Sequence, residues 1–421
     1  MEQIKVDLAL DKTFLLPGNK QVAYLMVKLT APEQVVKERP VQNLSFVIDR
    51  SGSMSGEKLD YTKKAVTFAI GHLSPQDYCS VVAFDDMVTM VAPSHKVENK
   101  DALKMAVESI YPGGSTNLSG GMLLGLREVK LAHKENQINR VLLLTDGMAN
   151  VGVTDHGALV EKAREMAAGG VNLSTFGLGD DFEEDLLQAM AEAGGGNFYY
   201  IETPDQIPGI FDQELTGLLN IVAQNLSVKV KPGQDVAITG VLGYPFTTGE
   251  GVTVNLPDIY SGETKILLLE LVISPLAEGT HKLLSVELDY ADVRENLALV
   301  NLKADLSVNA SAEPGDGPAE NVEVIKQVEL FRCAQAKEEA IRLADQGDFE
   351  ASRLVLEKQL LKMQSLGASL SCSEINMEVN ELQENLSYMS EGSYGKASRK
   401  KMSFNVYQRK KGRGNNKAFT G

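Results

Sequence analysis

A chain of 421 residues is too long for one ordinary domain, so two or three are expected. A hydrophobic content of 43% suits globular cores, and a net charge of −16 argues against a body that binds nucleic acid, because phosphate would be repelled. Residues 392–421 reverse that sign with nine Lys/Arg and no acid, which leaves room for the tail to dock on an acidic surface, the body included.

The N-terminus, MEQIKVDLAL, is charged and holds no apolar stretch of signal length. Residues 1–41 carry two alternating runs, IKVDLAL and QVAYLMVKLT, split by the turn LPGNK. From residue 42 to 220 apolar strands alternate with amphipathic helices. LSFVI (44–48) is followed by a helical pattern with Leu59, Val66, Ile70 and Leu73 on one face. YCSVVAF (78–84) and MVTMVA (87–92) form a tight hairpin, and helices are expected near 99–109 and 118–133. The strand RVLLLT (140–145) follows, then helices near 155–168 and 183–193, strands VNLSTFG and NFYYI, and a helix ending near 219. This alternation predicts an α/β doubly wound, Rossmann-like sheet covered on both faces, with MVTMVA as its antiparallel edge.

Residues 222–310 return to short alternating strands separated by Gly, Pro and Asp turns, in the manner of a β-sandwich. Two strands alone make no stable sheet, so 1–41 and 222–310 are expected to form one sandwich with the α/β domain (42–220) inserted in it. The most apolar run, ILLLELVI (266–273), is broken by Glu270 and too short to span a bilayer. NASAEPGDGPAE (309–320) reads as a linker. Val324, Val328 and Phe331 then begin a helix, and Ile375, Val379, Leu382, Leu386 and Met389 mark another, so 321–391 is expected to be a helical hairpin or bundle. The basic tail, 392–421, has few large aliphatics and is expected to be disordered. Cys79, Cys333 and Cys372 are odd in number, far apart and without metal-type spacing; they fit free thiols in a reducing compartment. The expected protein is cytoplasmic, with no transmembrane segment.

Within the α/β region, FVIDRSGSMSGEKL ends an apolar strand on Asp49 and a cluster of hydroxyls. In doubly wound sheets ligands bind beyond the carboxyl ends of the strands, where strand order reverses. Asp146, in VLLLTDGMAN, ends another central strand, and YPGGSTNLSGG sets Thr116 just before a helix. Asp49, Ser51, Ser53, Thr116 and Asp146 are all hard oxygen donors without His or Cys, a set that favours Mg²⁺ or Mn²⁺ over zinc or copper. Each has a plainer reading as a turn residue or helix cap, but five caps in this arrangement make the poorer explanation. Gly52, Gly113 and Gly114 are expected to let the backbone turn tightly around the ion. Asp85, Asp86, Asp180 and Asp181 read first as solvated turn residues or helix caps, GDDFEEDLL being a good helix start; on the same rim they would also add negative charge and select partners with flanking positive charge.

DRSGSM, GGSTNL and LLTDG, in this order and spacing, resemble the metal-ion-dependent adhesion site of the von Willebrand factor type A domain, over roughly residues 42–220. The resemblance implies that Ser51, Ser53 and Thr116 ligate Mg²⁺ (with Mn²⁺ or Ca²⁺ as alternatives) directly, and that Asp49 and Asp146 hold it directly or through water. It further implies a protein partner that supplies an Asp or Glu carboxylate to the open coordination position. The leading reading is therefore a non-enzymatic, metal-dependent scaffold, of the kind that serves multi-protein assemblies or AAA+ ATPases. The rival reading, a Mg²⁺-dependent hydrolase or phosphotransferase with Asp49 as nucleophile, finds no general acid–base partner near the motif.

Overall fold

The structure, a computed structural model, describes residues 2–33, 40–134, 137–295, 297–312, 320–370, 372–389 and 393–411. In chain order, β1 (Lys5–Leu10) and β2 (Gln21–Thr30) precede an α/β series. That series runs β3 (Val41–Asp49), α1 (Glu57–His72), β4 (Tyr78–Phe84), β5 (Val88–Lys96), α2 (Lys100–Glu108), α3 (Leu118–Leu131) and β6 (Gln137–Thr145). It continues with α4 (His156–Ala168), β7 (Asn172–Leu178), α5 (Glu184–Ala193), β8 (Gly195–Ile201) and α6 (Ile207–Leu219). Eight strands follow: β9 (Ile221–Pro232), β10 (Val236–Leu242), β11 (Thr247–Thr248), β12 (Val252–Leu256), β13 (Ile259–Tyr260), β14 (Thr264–Ile273), β15 (Gly279–Asp292) and β16 (Ala298–Ala310). Four helices close the described chain: α7 (Val322–Asp345), α8 (Phe349–Leu370), α9 (Ser373–Tyr388) and α10 (Lys396–Lys410). Two compact units result, one comprising Met1–Gln34, Leu226–Tyr290 and Leu299–Gly421, the other Val35–Asn225 with Ala291–Ala298.

The second unit is built on the sheet β5-β4-β3-β6-β7-β8, parallel throughout except for the antiparallel edge strand β5. Strand β3 is followed in sequence by its neighbour on one side and later by β6 on the other, so strand order reverses between β3 and β6. Both strands are buried over nearly their whole length, as central parallel strands between helical layers must be. Helix α3 sits close on this sheet because of LSGGMLLG: a β-carbon on Gly121 would lie 2.6 Å from the Phe84 ring, and one on Gly125 would lie 2.4 Å from Val47. The last helix, α6, is tied down by Glu214, a fully internal carboxylate. It accepts hydrogen bonds from Arg140 (3.0 Å), Ser174 (2.6 Å), Asn197 (2.7 Å) and Tyr199 (2.7 Å), which come from β6, β7 and β8. Burial alone would raise the Glu214 carboxyl, but the Arg140 charge and these donors hold it below its ordinary range.

In the first unit both flanks of the chain share a sheet, β1-β2-β14-β10, in which β2 pairs antiparallel with β14 from Gln21 to Thr30. A second sheet runs β11-β12-β9-β15-β16, with β13 on β9. Met26 and Leu268 of the first sheet pack against Val324, Val328 and Phe331, so α7 covers that face. Helices α7, α8 and α9 bury Leu330, Leu356, Ile375 and Leu382 between them.

The tail corrects an expectation. Far from lacking structure over its whole length, it forms α10, anchored by Met402, Phe404 and Tyr407 and by its cations. Arg409 pairs with Glu374 (2.9 Å) and Glu378 (2.6 Å), Lys401 with Glu384 (2.7 Å) and Arg399 with Asp345 (2.9 Å); Lys410 pairs with Glu338. Charge complementarity with the acidic helices supplies what aliphatic content does not. Residues 412–421, like 313–319 of the expected linker, lie outside the described residues. All three cysteines are free thiols.

Glu378 is the hub of this bundle: buried, it meets Lys337 at 2.5 Å and accepts from the Cys333 thiol at 3.0 Å. Burial would raise its carboxyl, yet Lys337 and then Arg409 outweigh that cost and hold it at about 2 against an ordinary 4.5. A depressed folded-state value means that the unfolded chain takes up the proton first. The cluster therefore stabilises fully above about pH 4.5 and is lost as pH falls toward 2. Denaturant melts of the full chain across that window are expected to show this loss in the helical transition. Glu378→Ala, which leaves the buried Lys337 without one of its acids, is expected to cost about 3 kcal/mol at neutral pH in the same measurement.

Candidate metal centre

The five oxygen-bearing residues lie at the carboxyl ends of β3 and β6 and in the loop before α3, beside the reversal of strand order. Asp49 closes β3 with no exposure to solvent. One carboxylate oxygen accepts the Ser51 N–H (2.8 Å) and the other the Thr145 hydroxyl (2.5 Å). Burial pushes its carboxyl up to about 6, against the opposing pull of Ser51 and Thr145. Asp146, equally buried, accepts from the Ser53 hydroxyl (2.7 Å), and Ser53 in turn lies 3.1 Å from the Ser51 hydroxyl. The fifth residue, Thr116, is fixed through its backbone: its N–H donates to the Asn150 side chain (2.8 Å), and its carbonyl accepts from Asn150 and Val151.

One position gathers the set. A β-carbon placed on Gly147 would stand 3.2 Å from Thr116 Oγ1, 3.7 Å from Ser53 Oγ and 3.9 Å from Asp49 Oδ2. Oxygens from two of the loops thus face the space beside the backbone of the third at Gly147, where a β-carbon would crowd Thr116 Oγ1. Ser53 is exposed, so this space opens to solvent. Two buried carboxylates with three hydroxyls suit a hard divalent cation, whose charge would offset the cost of ionising Asp49 beside Asp146. Among the described residues no group of three or more His, Cys, Asp or Glu is placed to hold a metal; here hydroxyls, not acids, make up the majority.

Three residues of the site escaped sequence reasoning. Lys58, on the first turn of α1, places its ammonium 2.5 Å from Asp146. In sequence it reads as one more cation on an amphipathic helix. Thr145 holds Asp49, and only its position next to Asp146 in the TDG motif could have marked it. Asn150 positions Thr116 from the other side of the site, and nothing local signals that.

Gly113 and Gly114 have a use that the sequence did not suggest: they let the Thr116 loop pass against acids. A β-carbon on Gly113 would fall 1.7 Å from Asp85 Oδ2, and one on Gly114 2.4 Å from Asp86 Oδ1. Asp85 is an internal strut, not a rim charge: it binds Arg50 (3.2 Å), the Met87 N–H (2.8 Å) and the Gly114 N–H (3.3 Å). Asp180 accepts from the Tyr200 hydroxyl at 3.1 Å. Gly113→Ala is accordingly expected to destabilise the α/β unit by roughly 1–3 kcal/mol, a fall of a few degrees in Tm. Gly52→Ala is the control, since its β-carbon would meet Gly113 O at an ordinary 3.6 Å and should leave the melt nearly unchanged.

Residues 43–213 match the family model of the von Willebrand factor type A domain, and this part of the chain is such a domain. The uncharacterized protein sll0103 of Synechocystis is 28% identical over 318 residues, covering 72% of this chain and 74% of that one. The uncharacterized protein YfbK of Escherichia coli is 31% identical over 217 residues, 51% of this chain but 38% of YfbK. Inter-alpha-trypsin inhibitor heavy chain H1 of Sus scrofa is 32% identical over 222 residues, 49% of this chain and 24% of the heavy chain. The chain thus spans well under half the length of the latter two. Among solved structures, a von Willebrand factor type A protein from Catenulispora acidiphila superposes with a TM-score of 0.71 at 17% identity, covering 96% of both chains. The ArnB paralog VWA2 from Sulfolobus acidocaldarius gives 0.62 at 18% identity, covering 96% of this chain and 98% of that one. At such identities the likeness speaks to the fold. No described helix is long and apolar enough to cross a membrane.

Proposed function

We propose that the chain is a non-enzymatic protein-binding module whose grip depends on a divalent cation, with Mg²⁺ the ion best suited to its donors. Ser51, Ser53 and Thr116 would hold the ion directly, and Asp49 and Asp146 directly or through water. Bound there, the ion would offer a partner's Asp or Glu carboxylate an electrophilic anchor. The observation that carries the reading is the convergence of Thr116 Oγ1, Ser53 Oγ and Asp49 Oδ2 on the space beside Gly147. The likeness to inter-alpha-trypsin inhibitor heavy chains, parts of a larger protein assembly by name, points the same way. We also read the two antiparallel sheets as a sandwich interrupted by the α/β domain, with domains at 1–41 plus 222–310, 42–220 and 321–391.

Chemistry at Asp49 is the weaker reading. Both its oxygens are already engaged, by Ser51 and Thr145, and the aspartate is wholly internal. A nucleophile must reach its target, and a carboxylate so secluded and held by Ser51 and Thr145 is better placed to hold an ion than to attack a substrate.

Calorimetric titration of the metal-free chain with Mg²⁺ tests the reading. Uptake of one ion is expected in the wild type, with Asp49→Ala and Thr116→Ala each losing it. Proteins retained from lysate in Mg²⁺ should be released by EDTA and not retained by either variant. No heat of binding in the wild type would overturn the proposal, as would phosphoester turnover that vanishes in Asp49→Asn. Lys58 gives a second, signed prediction. Its ammonium competes with the ion for Asp146, so Lys58→Ala is expected to tighten Mg²⁺ binding by roughly threefold to tenfold; looser binding would show instead that Lys58 positions the carboxylate.

A further inference from the structure

The loops around the gathered oxygens, and the β4–β5 turn that adjoins them, also carry large apolar side chains that face water. Met87 is 65% exposed, Tyr111 70% and Met148 54%. Each is anchored beside the site through the backbone. Met87 donates its N–H to Asp85, whose other oxygen takes the N–H of Gly114, two residues before Thr116. Tyr111 stands two residues before Gly113, whose N–H bonds the carbonyl of Arg50 at 2.7 Å, next to Ser51. Met148 follows Gly147 directly, at the space that Thr116, Ser53 and Asp49 face.

A single exposed apolar residue needs no explanation, but three on adjoining loops around one charged space do. Methionine and tyrosine are side chains enriched at protein interfaces, and thioethers adapt their shape to what they meet. Charge gives little support for a basic partner. Within these three loops the exposed carboxylates are Asp86 and Asp155, the latter already capping α4 by accepting the Ala158 N–H, while Asp85 is internal and paired with Arg50, and Asp146 is internal and paired with Lys58. A cation flanking the incoming acid would therefore gain exposed, screened ion pairs alone and would sit near a divalent ion that repels it. Apolar flanks would instead bury against the two thioethers and the phenol ring.

Resting on the metal-dependent binding proposed above, we propose that the partner is a protein segment whose metal-binding Asp or Glu is flanked by apolar residues, read by Met87, Tyr111 and Met148. The test is selection from a displayed library of random peptides with a fixed central Glu, against the full chain in Mg²⁺. Retained peptides are expected to be released by EDTA and to carry Leu, Met, Phe or Tyr within two positions of the Glu. Tyr111→Ala and Met148→Ala are each expected to weaken such a peptide by roughly tenfold while leaving the calorimetric uptake of Mg²⁺ unchanged. Metal-dependent peptides with basic flanks, or equal affinity in the variants, would overturn the apolar reading and leave the metal-dependent one standing. Peptides indifferent to EDTA, or none retained at all, would overturn both.

Discussion

Asp49 and Asp146 end two neighbouring parallel strands, β3 and β6, in full seclusion from water. Ionising both there is costly, and the protein spends much of its local architecture on containing that cost. Asp49 receives a backbone N–H and a hydroxyl, and Asp146 receives a hydroxyl and an ammonium. Even so, Asp49 keeps a carboxyl raised to about 6, first by burial and further by the nearby charge of Asp146. A site that holds its anions together at this expense is poised for positive charge, and hard oxygens at every corner decide which kind.

Convergence of the remaining oxygens depends on how closely one helix meets the sheet. Thr116 is brought to the ion space by α3, which lies so close on the side chains of β3 and β4 that a methyl group at Gly121 or Gly125 would strike Phe84 or Val47. The loop before that helix must then run past Asp85 and Asp86, which Gly113 and Gly114 allow. Packing of the domain's middle and placement of its surface ligand are one constraint. β6, β7 and β8 also converge on Glu214 of α6, so the closing helix is held by polar groups as well as by its buried apolar face, where Phe211 stacks on Phe46 and Phe176.

Much of this could be read from residues alone. The alternation of apolar strands and amphipathic helices placed α2 through α5 within a residue or two of their bounds, helped for α2, α3 and α4 by the caps Asn99, Asn117 and Asp155. Strand β5 ran on to Lys96, past the apolar stretch, because pairing with β4 continues through polar residues that pattern cannot see. The tail was misread for a related reason. Its helix is held by ion pairs with residues remote in sequence, such as Arg409 with Glu374, and only the fold brings such partners together. Lys58 and Asn150 were missed likewise: a lone lysine on a helix and a lone asparagine in a loop look ordinary until Asp146 and Thr116 arrive beside them.

The choice of side chains around the ion space carries a chemical asymmetry. Carboxylates and hydroxyls are inert to peroxide, whereas methionine thioethers become polar sulfoxides that reductases can restore. Met87 and Met148 stand well open to solvent, and Asp49, Ser51 and Thr116 do not. Oxidative stress would therefore rewrite the wettability of the rim while leaving the oxygen cage intact.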